Sequence, residues 1–297
     1  MKIGVVGGGA IFDFFYKSYL FERKFKVYIK DNNPQRVEYF VNNYGYSEWL
    51  GEKVDIALVL VPPAYHSSVI LDIENLAEKI IVEKPLVRTH EELESIAHLS
   101  DKIFVNNTRR LFPVNGIIKK TINERRVKSI SYFEGGKMEW PMQTVEYFTS
   151  GRGILEDRGS HVLDLINYWL GANDSIVDFT LNHHDKIDGV EGLINLSLVS
   201  SKGVDVNVAL NWYEKSSNIY KISFDDGSSL LGEIYDWNTV TYFQGKTNKT
   251  YSVKKLNASF TDLVEPLFES VIKGEDMLRM SSISSSIELI EKIYEKI

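Results

Sequence analysis

Short apolar runs alternate with longer amphipathic stretches from residue 2 to about residue 107, the pattern of repeated strand-helix units around a parallel sheet. Strands are predicted over residues 2–6, 26–29, 56–61, 79–82 and 102–105. The third is apolar at every position from Ile56 to Val61, so it is expected at the sheet centre with helices on both faces. Beyond Asn115 the period changes to two. Val204, Val206, Val208, Leu210 and Trp212 alternate with Asp205, Asn207, Ala209 and Asn211, which predicts a strand with one wet face. Ile194, Leu196 and Leu198, and the run 219–224 before Asp226-Gly227, repeat the alternation and predict antiparallel hairpins. Phe260, Leu263, Val264, Leu267, Phe268, Val271 and Ile272 form a helical stripe, in which Pro266 marks a late first turn or a kink. Ile283, Ile287, Ile290, Tyr294 and Ile297 form another. The expected organisation is an α/β domain over 1–115, an α+β domain over 116–280, and a last helix over 281–297 that leans back on the first domain.

Composition narrows the chemistry. At 297 residues the chain exceeds what one compact α/β core needs, so two domains are expected. Hydrophobic residues at 43% and charged residues at 25% suit a globular protein. The longest apolar run stops at Pro62-Pro63, far short of the roughly eighteen residues of a membrane span. Met1-Lys2 runs directly into a strand-like segment with no signal-type apolar stretch, so a cytoplasmic address is expected. The absence of cysteine excludes disulfides, thiolate nucleophiles and cysteine-held metal centres, leaving redox chemistry to a bound cofactor. His183-His184-Asp185 is rejected as a chelate because neighbours on a strand face opposite ways, and no metal site is expected. A net charge of -7 argues against nucleic acid as a partner.

Gly7-Gly8-Gly9 lies where the first strand turns into a helix, and such a turn lets backbone amides approach a pyrophosphate. Gly7 makes the turn and Gly9 admits the phosphate, while Ala10 and Ile11 open the helix. The third fingerprint position, usually small, is Phe12. Asp31 ends the second strand, where a carboxylate accepts bonds from ribose hydroxyls or, alternatively, caps the helix after Pro34. The first domain is thus read as a Rossmann domain for NAD, with Lys30 and Arg36 leaving NADP open.

The fourth strand ends in Glu83-Lys84-Pro85. With the glycine turn, Val61-Pro62-Pro63 and His66, Arg110 and Pro113, and the segment Asp157-x-Gly-x-His161-x-x-Asp164, the chain resembles the glucose-fructose oxidoreductase and inositol dehydrogenase family, Gfo/Idh/MocA. The resemblance covers nearly the whole chain. It implies a Rossmann domain, a following α+β domain with a large, open, mostly antiparallel sheet, and hydride transfer at a carbinol or carbonyl carbon of a sugar, cyclitol or sugar derivative. Two family alternatives accompany this reading: a non-catalytic dinucleotide-sensing regulator and an NAD-dependent glycoside hydrolase. An uncovered sheet face implies a homodimer or homotetramer.

Lys84 falls at the carboxyl end of a parallel strand, where ligands of open α/β sheets bind, and an ammonium there can lower the cost of alkoxide charge. On the second domain's helix, Val162, Leu165, Ile166 and Trp169 form a buried stripe, and at 100° per residue Asp157, His161, Asp164 and Tyr168 share another face. Asp157 can orient His161 for proton transfer. With the resemblance, the expected catalytic set is Lys84, His161 and Asp157, with Lys84 and His161 facing each other across a bound nicotinamide. The cofactor set is Gly7, Gly9, Ala10, Ile11, Asp31, Pro62, His66, Glu83 and Lys84, and the substrate set is Arg110, Asp157 and His161. Arg110 has an interdomain ion pair as its competing reading, and His66 a helix-start position without direct chemistry. Arg152 and Arg158 are weaker candidates for an anionic group, and Trp140 and Tyr147 for stacking on a sugar ring.

Overall fold

The computed structural model describes residues 1–136, 153–171, 176–187, 189–215, 217–253 and 259–297. Trp140, Tyr147 and Arg152 lie outside the described residues. The chain folds into two compact units, Met1–Thr108 with Ser259–Ser284, and Arg109–Ala258 with Ser285–Ile297.

The first unit is built on strands β1 Lys2–Val6, β2 Lys26–Lys30, β3 Ser47–Glu48, β4 Val54–Val59, β5 Ala77–Val82 and β6 Ile103–Val105. All pair in parallel, in the order β3-β2-β1-β4-β5-β6. The order reverses between β1 and β4, the switch point at which a doubly wound sheet leaves a crevice at its carboxyl edge. Ile56 to Val59 of β4 are buried, as an apolar run covered on both faces must be. That strand ends at Val59 rather than Val61, because the backbone then turns toward Pro62. The two-residue β3 is too short to carry a periodic signal, and the pattern of apolar positions does not announce it.

Helix Pro34–Tyr44 starts with Asn33 accepting from the Gln35 amide, proline in its first turn, and ends at Gly45 in the left-handed region. Val264–Lys273 buries Val264, Leu267, Phe268 and Val271 within this unit, and Pro266 stands in its first turn, where the missing N–H costs nothing. The Lys79 ammonium closes that helix by donating to the Val271 and Ile272 carbonyls at 2.7 and 2.8 Å.

The second unit holds β7 Val127–Gly135, β8 Ile176–Ile187, β9 Val190–Ser200, β10 Asp205–Asn211, β11 Ile219–Phe224, β12 Ser229–Glu233, β13 Thr239–Gln244 and β14 Thr247–Ser252. They form one sheet ordered β14-β13-β12-β11-β7-β10-β9-β8, antiparallel except where β10 runs parallel to β7. Val206, Val208 and Leu210 are buried while Asp205 and Asn207 are exposed, so the alternation decides which face packs. The turn between β11 and β12 uses Gly227 at φ +80°.

The last helix, Ser284–Tyr294, differs from expectation: its residues from Ser285 onward group with the second unit. The segment that returns to the first unit is Ser259–Ser284. An apolar stripe announces that a helix must lean on something without naming the surface, whereas a polar anchor does. Tyr294 Oη donates to Glu191 of β9 at 2.6 Å and accepts from the Glu156 amide at 3.1 Å. The boundary accordingly falls after Thr108 rather than at 115.

Candidate active site

In the first unit the crevice begins at Gly7. Its φ of +100° is left-handed, and a Cβ there would lie 2.9 Å from the Leu60 carbonyl carbon and oxygen. Gly9 is open: a Cβ would meet only Arg36, at 3.7 Å. Asp31 reaches back to this turn. Its Oδ2 accepts from the Gly8 amide at 2.7 Å and its Oδ1 from the Asn33 amide at 2.8 Å, with Arg36 3.8 Å away. The helix cap itself is Asn33, not Asp31.

After Ala10 and Ile11 the helix makes a π turn over Phe12–Tyr16 and continues as Lys17–Glu22. Phe12, at the position where the fingerprint is small, is buried and meets Phe40 edge-on with ring centres 5.1 Å apart. Tyr16 donates to Glu83 Oε1 at 2.9 Å, and Asn106 Nδ2 donates to the same oxygen at 2.7 Å and to Tyr16 Oη at 2.9 Å. Burial pushes the Glu83 carboxyl above the usual carboxylate range despite these donors. Nothing in the sequence pattern singles out Tyr16 or Asn106.

Lys84 follows at the carboxyl end of β5, half-buried, before a cis peptide to Pro85. Pro62, in the turn after β4, is exposed. His66 is not: it is fully buried, with Nδ1 3.0 Å from the Pro85 and Leu86 carbonyl oxygens and Nε2 2.8 Å from that of Val61. Its expected place against a cofactor is therefore corrected, since a ring enclosed by backbone carbonyls offers no face to a ligand.

These residues fit a dinucleotide. The glycine turn sits at the sheet's switch point, the first amides of the helix have no intrahelical partner, and Asp31 stands beside the turn. At the same carboxyl edge the Oδ1 atoms of Asn106 and Asn107 are buried acceptors with no partner among the described residues, suited to a carboxamide N–H.

In the second unit Asp157 and His161 are both half-buried. Asp157 belongs to a π turn, Leu155–Gly159, and His161 to the helix Ser160–Leu170 that follows. The wider turn breaks the count of one α-helical turn from Asp157 to His161 on which the common face was predicted. The first amides of this segment are held from elsewhere in the unit: Leu155 N donates to Glu191 Oε1 at 3.2 Å, and Glu156 N to Tyr294 Oη. Gly153 is required there, because a Cβ would lie 2.1 Å from the Glu191 carbonyl oxygen. Val162, Leu165, Ile166 and Trp169 are buried as expected.

Asp164 keeps its place on the predicted polar face but does not line an open cleft. It is buried and takes two bonds from Arg110, Nε to Oδ2 at 2.7 Å and Nη2 to Oδ1 at 2.6 Å. Arg110 is thus a buried ion-pair partner: the ion pair of its competing reading forms, with both partners in the second unit. Its guanidinium lies 5.0 Å from the Tyr168 ring centre, with the Lys119 ammonium 3.9 Å from the same ring. Arg109, which no motif in the sequence marks, grips Glu134 with two bonds of 2.7 and 2.8 Å and reaches Tyr132 Oη at 2.6 Å. Burial would raise the Glu134 carboxyl, but Arg109 outweighs it and holds that group below the usual range. Arg158 donates to the Asn211 and Gly136 carbonyls at 3.3 Å.

Residues 1–104 match the model of an oxidoreductase family with an NAD-binding Rossmann fold. A scyllo-inositol 2-dehydrogenase (NAD+) of Bacillus subtilis (strain 168) is 20% identical over 258 residues, 77% of this chain and 75% of that protein. A scyllo-inositol 2-dehydrogenase (NADP+) of the same organism is 20% identical over 251 residues, 74% and 70% of the two chains. Among solved structures, a 3-ketoreductase from Actinomadura kijaniata in complex with NADP and TDP-benzene shares the fold with a TM-score of 0.78 at 17% identity, over 99% of this chain and 96% of that one.

Proposed function

We propose that the chain, whose residues 1–104 match the NAD-binding Rossmann model of the Gfo/Idh/MocA oxidoreductase family, acts as a member of that family and oxidises a secondary hydroxyl of a sugar or cyclitol, or reduces the matching ketone. Bound NAD or NADP supplies the hydride acceptor or donor at nicotinamide C4. The observation that carries the reading is the pairing, at one sheet edge, of the Gly7 turn with Lys84 at the carboxyl end of β5. The Lys84 ammonium hydrogen-bonds the substrate oxygen and stabilises negative charge on it as the C–H bond breaks. His161 takes the hydroxyl proton during oxidation and returns it during reduction, and Asp157 orients the imidazole or the substrate. Asp31, a carboxylate beside the glycine turn, favours a free ribose 2′-hydroxyl over a 2′-phosphate and hence NAD. The relatives named for NAD and for NADP make the choice an experimental one.

The test is a screen of sugars, cyclitols and nucleotide-sugars with each cofactor, following reduced nicotinamide by absorbance. Turnover is expected with NAD. On the best substrate, Lys84→Ala and His161→Ala are each expected to lose about 10²–10⁴ in kcat, the contribution of a positioned acid or base, with dinucleotide affinity unchanged. Folded variants that lose cofactor binding in proportion to turnover would refute the assigned roles.

A further inference from the structure

We infer that His66 is a positioning residue that ties Lys84 to the dinucleotide edge of the first unit. The ring contacts two segments that follow neighbouring strands. Nδ1 stands 3.0 Å from the carbonyl oxygens of Pro85 and Leu86, the two residues immediately after Lys84, and Nε2 stands 2.8 Å from the carbonyl oxygen of Val61, in the turn after β4. Carbonyl oxygens only accept, so the ring nitrogen that carries the proton donates to its segment, while the opposite edge of the ring sets the second segment by direct contact. The ring itself is 0% exposed.

The two tethered segments have different duties. β4 borders the switch point, so the Val61 turn flanks the crevice into which a dinucleotide fits. The Pro85-Leu86 segment sets the direction in which the Lys84 backbone delivers its side chain. A rigid imidazole fixes the spacing of the two segments in a way that two independent hydrogen bonds cannot, and an error of about 1 Å at a reacting group costs about 10²-fold in rate. On the other flank of Lys84, Glu83 is held by Tyr16 and Asn106, so the lysine is braced from both sides. The importance of this bracing rests on the reading of Lys84 as the group that meets the substrate oxygen.

Asparagine and glutamine separate the two halves of the clamp. The asparagine amide reaches as far as Nδ1 and can keep the Pro85 and Leu86 contacts, whereas the glutamine amide reaches as far as Nε2 and can keep the Val61 contact. The full chain is made as His66→Asn and His66→Gln, each checked for folding by circular dichroism. Labelling of Lys84 by an amine-reactive reagent is read by mass spectrometry, and NAD affinity by intrinsic fluorescence. His66→Gln is expected to label at Lys84 about fivefold faster with NAD affinity near wild type. His66→Asn is expected to keep the wild-type labelling rate while weakening NAD about fivefold. Fivefold corresponds to about 1 kcal/mol, one net hydrogen bond.

A residue that merely fills the core would move both readouts together in both variants, and that result overturns the inference. So does wild-type behaviour in both. Lys84→Ala, assayed in parallel on the best sugar or cyclitol of the screen, isolates the other premise. If it turns over normally while the crossed pattern holds, the catalytic role of Lys84 fails and the clamp stands; if turnover collapses without the crossed pattern, only the clamp fails.

Discussion

Replacing Asp164 by asparagine keeps the volume of the side chain and removes its charge. Its partner Arg110 is buried, the two side chains being 2% and 3% exposed, so the guanidinium would lose its counter-charge where water cannot replace it. Breaking a buried pair from one side costs about 3–5 kcal/mol. At about 2–4 °C per kcal/mol for a unit of this size, Asp164→Asn should lower the melting temperature by about 6–20 °C. The intact pair carries little net worth. Burial pushes the Asp164 carboxyl up despite the adjacent Arg110, which means that desolvation outweighs the attraction. Arg110→Met with Asp164→Leu should therefore restore the melting temperature to near wild type or above it. The assay is scanning calorimetry of the wild type, both single variants and the double variant, with steady-state kinetics on each folded protein. If Asp164→Asn melts like wild type while KM for the sugar rises steeply, Arg110 belongs to substrate recognition after all and the reasoning fails.

Glu83→Gln should stabilise the protein above neutral pH. The folded carboxyl titrates above its unfolded value of about 4.3, so the wild type loses stability as pH rises through the folded value and regains it on acidification; a gain of equal size at about pH 4 and at pH 8 would contradict this. Gly7→Ala should lower stability by about 1–2 kcal/mol from the left-handed backbone alone, with further loss from the clash at Leu60, and abolish NAD binding; normal melting and a wild-type Kd in a titration would refute it. Tyr294→Phe should cost about 1–3 kcal/mol in urea unfolding, because it leaves the buried Glu191 carboxylate short of a donor; a change within about 0.5 kcal/mol, the scatter of ordinary surface substitutions, would show the tether to be idle.

The strands were legible because burial on one or both faces writes itself directly into residue order. Ile56 to Val59 could be read as central without any partner, and Val206, Val208 and Leu210 as one packed face. The sheet order could not be read, since any of several neighbours satisfies the same apolar face, and the parallel pairing of β10 with β7 has no signature in either strand. Chemistry was legible where a residue type is needed for a backbone reason, as at Gly7. It was ambiguous where two uses require the same side chain. Arg110 has the planar fork that suits a sugar-borne anion and equally a carboxylate 54 positions along the chain, and only the fold decides between them. His66 failed as a cofactor contact for the same reason, because a histidine after a turn serves a ligand or a backbone carbonyl with the same two nitrogens.

The π turns mark the limit of periodicity. Counting about 100° per residue assumes one register from end to end, and both helices that carry candidate chemistry break it, at Phe12–Tyr16 and at Leu155–Gly159. One added residue rotates everything beyond it by about that angle. In the first unit Phe12, which stands where the fingerprint is usually small, opens the π turn with its ring edge-on to Phe40, and the end of the same turn brings Tyr16 to Glu83. The departure from the fingerprint and the brace on the Glu83-Lys84 segment thus lie at the two ends of one π turn. In the second unit the first amides of the turn, which have no partner within the helix, are held from outside it. Glu191 and Tyr294 provide that support to the very turn in which Asp157 sits. The backbone of the turn that carries Asp157 is accordingly anchored by β9 and the last helix through the Leu155 and Glu156 amides.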